Sequence, residues 1–297
     1  TIPPISPSAL EIVRLCDRDE SNFEAIAALA GREPGIAARL VVIANSPIFG
    51  TSRDATDAAQ AISVAGLRGT RVAALVSWVA DGMGRKRVAG FDHERFWRDA
   101  LVTALAACRA SQLARTGRRE EAFLGGLVQD LGVLALAAAA GESYALLLRE
   151  AESEGVEIAT LEKSRLGLHH GELAAEILQT RSFPPEILVA VRCHPEGPAK
   201  RPPRTHADRL TACLHVAEGA RRALRKPDLT TLAELRSRAA KTLGLAGNEV
   251  SDILQHVQAN LDGAAELLAL PIGSPTDLPE IHRQAQDLLV RASAESR

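Results

Sequence analysis

The chain has 297 residues, 46% of them hydrophobic and 24% charged, and its formal net charge is −2 at pH 7. That length can bury a substantial core, and the near-neutral charge argues against a dedicated nucleic-acid-binding protein, which usually carries a basic excess. The four cysteines lack CxxC spacing, no signal peptide is evident, and the longest apolar run, 133–140, is far short of a membrane span. We therefore predict a cytoplasmic protein with free thiols and no membrane-spanning segment.

Helices dominate the predicted secondary structure, because Ala and Leu are abundant, β-branched alternation is scarce and only 3% of residues are aromatic. Capping-box spacing, with an acid three residues after a short polar residue, predicts helix starts at Ser8, Ser21 and Asp277. The pair Pro184 and Pro185 predicts another start, since proline is tolerated in the first helical turn.

Breaks between helices are expected at Pro34-Gly35, Asn45-Ser46-Pro47, Gly117 and 195–203. At the second of these, Asn45 and Ser46 are expected to fix a tight turn by bonds from side chain to backbone, with ligand contact as the alternative.

The last third of the chain contains a polar, proline-rich loop at 196–204 and a second break at 271–279. Between them, Asn248 is expected to be the N-cap of a helix in the extension that follows residue 230. Beyond the second break, apolar residues recur at spacings of 3 and 4, at Leu278, Ile281, Ala285, Leu288 and Ala292. This pattern fits either a simple amphipathic terminal helix or a connector helix that pairs in a homodimer or leads into another module.

Residues 121–136, EAFLGGLVQDLGVLAL, are the most informative stretch for chemistry. Gln129-Asp130 is predicted to lie on a helix that is followed by Gly132 and an apolar helix, and Gly125-Gly126 is expected to permit close helix packing. Downstream, His169-His170 opens one predicted helix, His194 ends another, and Glu218 lies on a third. Asp130, His170, His194 and Glu218 are acceptable ligand types for a divalent metal, although their separations match no metal motif.

Simpler interpretations stay open for these residues. Each histidine can be a helix-terminal residue that is hydrogen-bonded to backbone carbonyl groups. A thiol nucleophile at Cys193 is disfavoured, because the adjacent His194 points about 100° away on a helix. No Walker A, GxGxxG or GxSxG pattern occurs.

Several segments in order resemble the HDOD family, the HD-related output domain of bacterial signalling proteins, over roughly residues 3–230. The matching segments are EPGIAARLVVIANSPIFG (33–50), AAQAISVAGLRGTRVAALV (58–76), FWRDALVTALAACRASQLA (96–114), EAFLGGLVQDLGVLAL (121–136) and LGLHHGELAAEIL (166–178). The resemblance implies an all-α fold: an HD-like multi-helix bundle with an N-terminal helical subdomain at about 1–90, a degenerate HD-like core at about 91–230 and a helical extension at 231–297.

The chain departs from the active HD pattern at two positions. Gln129 stands where the family's histidine precedes the aspartate, and Asp99 stands at the upstream ligand position. Asp130, His170 and His194 keep the original residue type, and Glu218 is a conservative replacement for an aspartate. The resemblance therefore implies a vestigial pocket with no catalysis and no expected metal or other cofactor, a residual divalent metal being the alternative.

The leading functional hypothesis is a non-enzymatic signal-transduction module within a larger protein, such as a two-component response regulator or a GGDEF-type fusion. Expected partners are other signalling domains or proteins and a nucleotide-like ligand, with no membrane and no nucleic acid. The first alternative is an active phosphohydrolase on nucleotides or cyclic dinucleotides, with one metal held by Asp130, His170, His194 and Glu218. The second is a nucleic-acid-binding regulator, which depends only on the basic clusters Arg85-Lys86-Arg87, Arg221-Arg222 and Arg225-Lys226.

Overall fold

The structure, a computed structural model, describes residues 3–17, 23–46, 55–83, 87–198 and 203–273. Within these ranges the regular elements are helices and there is no β-strand. The prediction of an all-α fold is confirmed. The predicted helix starts at Ser21 and Asp277, and the apolar pattern from Leu278 to Ala292, lie outside the described residues.

The N-terminal part of the chain is built around two helical stretches that meet at a kink at Gly66. Helices α1 (Pro7–Cys16), α2 (Phe23–Gly31) and α3 (Pro34–Asn45) pack against α4 (Ala58–Trp78), which comprises both stretches and runs into a π-helical turn at Val79–Met83. The predicted start of α1 at Ser8 is wrong by two residues. Ser6 is the N-cap, because its hydroxyl accepts the Ala9 N–H while Pro7 occupies the first helical position.

The side chain of Asn45 bonds to the backbone, as predicted, but its partner is ten residues away and the bonds do not form the predicted tight turn. Its amide donates to the carbonyl oxygen of Ala55 at 2.8 Å, and its side-chain oxygen accepts the Ala55 N–H at 2.7 Å. This pair of bonds closes the chain between α3 and α4 in the manner of a backbone pair.

The centre of the molecule is α5 (His93–Leu113), most of whose side chains are buried. It packs against α6 (Arg119–Val128), α12 (His206–Arg225) and α14 (Gly247–Leu268), with α13 (Leu229–Leu243) lying on α12. The predicted N-cap at Asn248 is wrong by two residues: Ala246 takes that position, and the Glu249 carboxylate accepts its N–H at 2.7 Å. The division of the chain at residue 230 stays a prediction.

Five short helices complete the described chain between α6 and α12. They are α7 (Leu131–Ala140), a hairpin of α8 (Glu142–Glu154) and α9 (Ile158–Leu166), then α10 (His170–Gln179) and α11 (Pro185–Cys193), the last starting where the proline pair predicted. Gln129 and Asp130 lie in the turn between α6 and α7 rather than on a helix. The predicted packing role of the glycine pair holds at Gly126, where a Cβ atom would collide with the backbone of α5.

One segment has the length and composition of a membrane span. The sequence analysis did not predict it, because the longest apolar run, 133–140, is too short. Arg119–Ala140 has a mean hydropathy of 1.7 in its most apolar window, and 67% of that window is buried inside the protein. The segment is the helix pair α6–α7 of the core, and a buried core helix passes the same test of length and composition. All four cysteines are free thiols, as predicted.

Candidate functional site

Three helix ends converge on one buried point. Asp130 precedes α7, His170 is the first residue of α10, and His194 follows the last residue of α11. Two glycines make this approach possible: a Cβ atom at Gly132 would collide with the carbonyl oxygen of His170, and one at Gly171 would lie 2.8 Å from the carbonyl oxygen of Val191. The backbones at the three helix ends therefore come closer than any residue with a Cβ atom would allow.

The structure brings together three of the four predicted ligands, here called the triad: Asp130, His170 and His194. The two Nε2 atoms lie 3.2 Å apart, and Oδ1 of Asp130 lies 3.4 Å from Nε2 of His170 and 3.3 Å from Nε2 of His194. Both histidines are buried, at 4% and 2% exposure. Ligand-type atoms from three sequence-distant helix ends thus share one small site.

The orientation of each imidazole is set by its other nitrogen. Nδ1 of His170 lies 2.7 Å from the Glu162 carboxylate, and Nδ1 of His194 lies 2.7 Å from the carbonyl oxygen of Val191. Both of those oxygens only accept, so each Nδ1 carries a hydrogen and each Nε2 is left to face Oδ1 of Asp130. Without a further proton or a metal ion, three acceptor atoms would face one another in a buried site, which is unfavourable.

The charges around the triad also favour a cation there. Burial acts to raise the pKa of Asp130, but the hydrogen bond with His194 and the nearby positive charges outweigh it and hold that pKa well below its usual range. Burial acts to lower the pKa of His170, yet the hydrogen bond to Glu162 and the neighbouring carboxylates raise it. The site is thus negative enough to favour a cation, whether protons on the rings or a metal ion.

The donor set fits a divalent metal. Two neutral imidazoles and one carboxylate suit Fe, Mn or Zn. Ligand atoms bound at about 2.0–2.2 Å to one ion lie roughly 3 to 3.6 Å apart in tetrahedral or octahedral geometry, which matches the three separations in the triad. The Glu162–His170 bond supplies the outer partner that metal-bound imidazoles ordinarily have.

The fourth predicted ligand, Glu218, takes part in a different set of contacts. Its carboxylate accepts two hydrogen bonds from Arg221, one at 2.9 Å from Nε and a shorter one from Nη2. Asp99 accepts from Arg225, at 3.1 Å from Nε, and lies 3.8 Å from Nη1 of Arg221. The two acids at the predicted positions are thus already paired with guanidinium groups.

Gln129 is fully buried, and neither its side-chain nitrogen nor its oxygen has a hydrogen-bond partner among the described residues. Buried amides are nearly always satisfied by protein or by ordered water. Next to Asp130 in the sequence, this amide therefore has unused hydrogen-bonding capacity for a water molecule or for a polar group of a ligand. As a neutral amide it adds no charge to the triad.

His169 is helix-terminal, as the simpler interpretation has it, but its ring accepts a backbone N–H instead of bonding to a carbonyl group, and Cys193 remains disfavoured as a nucleophile. His169 caps α10 by accepting the Glu172 N–H at 3.3 Å, and the Glu172 carboxylate accepts the His169 N–H at 2.9 Å in return. Burial raises the pKa of the Cys193 thiol, which opposes formation of the thiolate. Neither residue belongs to the triad.

Comparison with known protein families identifies the family of this chain. The model of the HDOD domain matches residues 2–196. The chain belongs to the HDOD family. The resemblance inferred from the ordered segments is confirmed, and no curated protein matches the sequence.

Solved structures share the fold of this HDOD chain. A candidate phosphohydrolase from Shewanella amazonensis SB2B is 20% identical with a TM-score of 0.65, over 91% of this chain and 95% of that one. An HDOD domain protein with unknown function from Geobacter sulfurreducens is 17% identical with a TM-score of 0.64, over 91% and 92%. A candidate signal transduction protein from Marinobacter aquaeolei VT8 is 20% identical with a TM-score of 0.62, over 90% and 60%. At these identities the likeness shows the fold alone.

Sequence reasoning missed Tyr144 and Glu162 at this HDOD site, and it named Arg221 and Arg225 only as members of basic clusters. The arginines carried a usable signal. Leu214, Glu218, Arg221 and Arg225 follow one another at spacings of 4, 3 and 4, so the charges lie on the helix face of the buried Leu214, with Arg225 at its exposed end. Glu162 lies on a helix whose residues are mostly exposed, and no pattern in its neighbourhood distinguishes it from a surface acid.

Proposed function

We propose that this HDOD chain is a non-enzymatic, cytoplasmic signal-transduction module whose pocket holds one divalent cation at the triad. Membership of the HDOD family supports a regulatory role, and one solved structure of the same fold is named as a candidate signal transduction protein. Its partners are other signalling domains or proteins, and a nucleotide-like ligand is the small molecule best suited to a pocket that combines a cation with arginines.

The observation that carries the absence of catalysis is the pairing of Asp99 and Glu218 with Arg225 and Arg221. Metal-dependent phosphoryl chemistry commonly uses two cations about 3.5–4 Å apart, which stabilise the attacking and leaving oxygens together. A guanidinium stays protonated in proteins, so it neutralises the acids without activating a water molecule. Gln129 adds a neutral amide at the position of a charged or basic ligand.

Each residue of the triad contributes one donor atom to the proposed cation site. Asp130 supplies the negative charge, while His170 and His194 supply neutral nitrogen donors in orientations fixed by Glu162 and by the Val191 carbonyl oxygen. When bound, a divalent cation there would act as a Lewis acid toward an oxygen of a ligand. In this proposal that capacity serves ligand recognition rather than hydrolysis. The expectation of an empty, vestigial pocket stays untested.

Hydrolysis of a chromogenic phosphodiester and a nucleoside triphosphate in the presence of Mn²⁺ or Zn²⁺ tests the proposal. We expect no turnover above the same buffer with metal alone. Asp130→Asn is the matched variant, because it removes a charge from the triad with little change in shape. Turnover by the wild-type chain that disappears in Asp130→Asn would favour the alternative function, a one-metal phosphohydrolase, and overturn this one.

A further inference from the structure

The hairpin of α8 and α9 is joined to the triad through one buried carboxylate. Oε2 of Glu162, on α9, accepts both the backbone N–H of His170 at 2.8 Å and the Nδ1–H of its ring at 2.7 Å. Oε1 of the same carboxylate accepts a short hydrogen bond from the hydroxyl of Tyr144 on α8. Glu162 and Tyr144 are 0% and 2% exposed. One side chain therefore links both helices of the hairpin to a triad residue.

Elsewhere the hairpin is held to the rest of the protein by few contacts. Its buried apolar residues form a small cluster with α7 that is separate from the main core: Ala137, Tyr144 and Leu147. Large apolar side chains on the hairpin point to solvent instead, with Leu146 at 56% and Leu166 at 44% exposure. Segments with little buried apolar area and exposed polar contacts are the first to open locally.

The other ion pairs that tie the hairpin to the described chain are half-buried or exposed. Lys163 reaches Glu172 on α10 at 2.7 Å, and Arg95 on α5 reaches Glu152 at 2.6 Å. Arg222 on α12 and Arg238 on α13 both pair with Glu157, and the side chains in all of these pairs are between 21% and 63% exposed. Exposed ion pairs of this kind contribute little to stability. The buried Glu162–His170 contact is thus the strongest polar link between the hairpin and α10.

We infer that Glu162 couples cation binding at the triad to the docking of the α8–α9 hairpin. A cation on Nε2 of His170 withdraws electron density from the ring and makes the Nδ1–H a stronger donor to Glu162. The strengthened bond holds α9 against α10, and the Tyr144 hydroxyl carries the restraint to α8. By reciprocity, the docked hairpin raises the affinity of the triad for the cation. This inference rests on the cation site of the proposed function.

Glu162 is a positioning residue in this scheme, since it touches a ligand and not the cation. Its loss is expected to weaken cation affinity by about 10- to 100-fold, as for other outer partners of metal-bound histidines. The same coupling acts on the hairpin: cation binding should lower the equilibrium constant for its opening by about 5- to 150-fold, the usual range of a coupling between two sites.

Hydrogen–deuterium exchange of the full chain, with and without Mn²⁺, measures the coupling directly, and a Mn²⁺ titration of the same samples gives the affinity. In the wild-type chain we expect amides of 142–166 to be protected on Mn²⁺ binding. Glu162→Gln should bind Mn²⁺ more weakly and lose that protection. Lys163→Gln, which cuts the exposed link on the same helix, should keep both.

Tyr144→Phe provides a second variant that leaves the Glu162–His170 bond in place, in case Glu162→Gln does not fold. It should retain Mn²⁺ binding and lose protection in α8 more than in α9. If the wild-type chain binds Mn²⁺ but 142–166 exchanges at an unchanged rate, the coupling is refuted and the cation site stands. If the wild-type chain binds no Mn²⁺ in the titration, the cation site fails and the coupling fails with it.

Discussion

Arg221 determines which buried carboxylates near the triad are left to attract a cation. Its guanidinium donates to Glu218 and lies near Asp99; burial acts to lower its pKa, but the surrounding carboxylates outweigh burial and raise it. Burial likewise acts to raise the pKa of Glu218, whereas the charge of Arg221 lowers it. The two groups therefore keep each other ionised inside the protein. Among the described residues, Asp130 and Glu162 are thus the carboxylates near the triad whose negative charge is not paired with an arginine.

Replacing Arg221 should be costly, because it leaves the buried Glu218 carboxylate without a partner, while Asp99 keeps its pair with Arg225. Arg221→Met keeps the volume and the apolar stem but leaves Glu218 without its guanidinium partner. We expect the free energy of unfolding to fall by about 3–5 kcal/mol, as for other broken buried ion pairs. Urea denaturation at neutral pH measures the loss.

Arg222→Met is the matched control for that variant. Arg222 neighbours Arg221 in α12 but pairs with the more exposed Glu157 and Glu234. Its replacement should cost no more than about 1 kcal/mol. If the free energy of unfolding falls equally in the two variants, the buried Arg221–Glu218 pair contributes no more to stability than an exposed ion pair.

At the scale of helices, the site depends on how closely α7 approaches α10. Gly132 lies in the first turn of α7, directly against the carbonyl oxygen of His170. A methyl group there would force the two helices apart and displace His170. Since helix propensity alone favours alanine over glycine, any destabilisation at this position reports on packing.

Gly132→Ala is therefore expected to destabilise the protein by about 1–3 kcal/mol or more, the typical cost of overpacking. Gly263→Ala, in the middle of α14, is the opposite case, because a Cβ atom there meets nothing within 4 Å. It should stabilise the protein by about 0.5–1 kcal/mol. Thermal unfolding of both variants checks the contrast, and a stable Gly132→Ala chain would mean that α7 and α10 are not in close contact.

The sequence predicted elements and ligand types better than it predicted pairings. Composition and proline positions were sufficient for an all-α fold and for the start of α11, since these are local properties. Cap positions were shifted by two residues at Ser8 and Asn248: Ser6 caps α1, and at α14 the Glu249 carboxylate reaches back to Ala246, which has no capping side chain of its own. The contact of Glu162 with His170 depends on how α9 packs against α10, and no local pattern encodes it.

At the scale of the whole molecule, α5 connects the site to both ends of the described chain. It carries Asp99 and packs on α12, which carries Glu218, Arg221 and Arg225, on α6, which leads into Asp130, and on α14. The N-terminal helices reach the same core through the contact of α4 with α6. The triad is thus adjacent to elements that lead toward both ends of the described chain, as the proposed signalling role would require.

The number of divalent ions bound per chain tests the central claim most directly. Elemental analysis after removal of metal by a chelator, reloading with Mn²⁺ and gel filtration should give one ion for the wild-type chain. It should give none for His194→Ala, which removes a donor of the triad and leaves the pairs of Arg221 and Arg225 intact. Two ions per chain would contradict the claim that these arginines replace a second cation, and no ion in the wild-type chain would contradict the cation site itself.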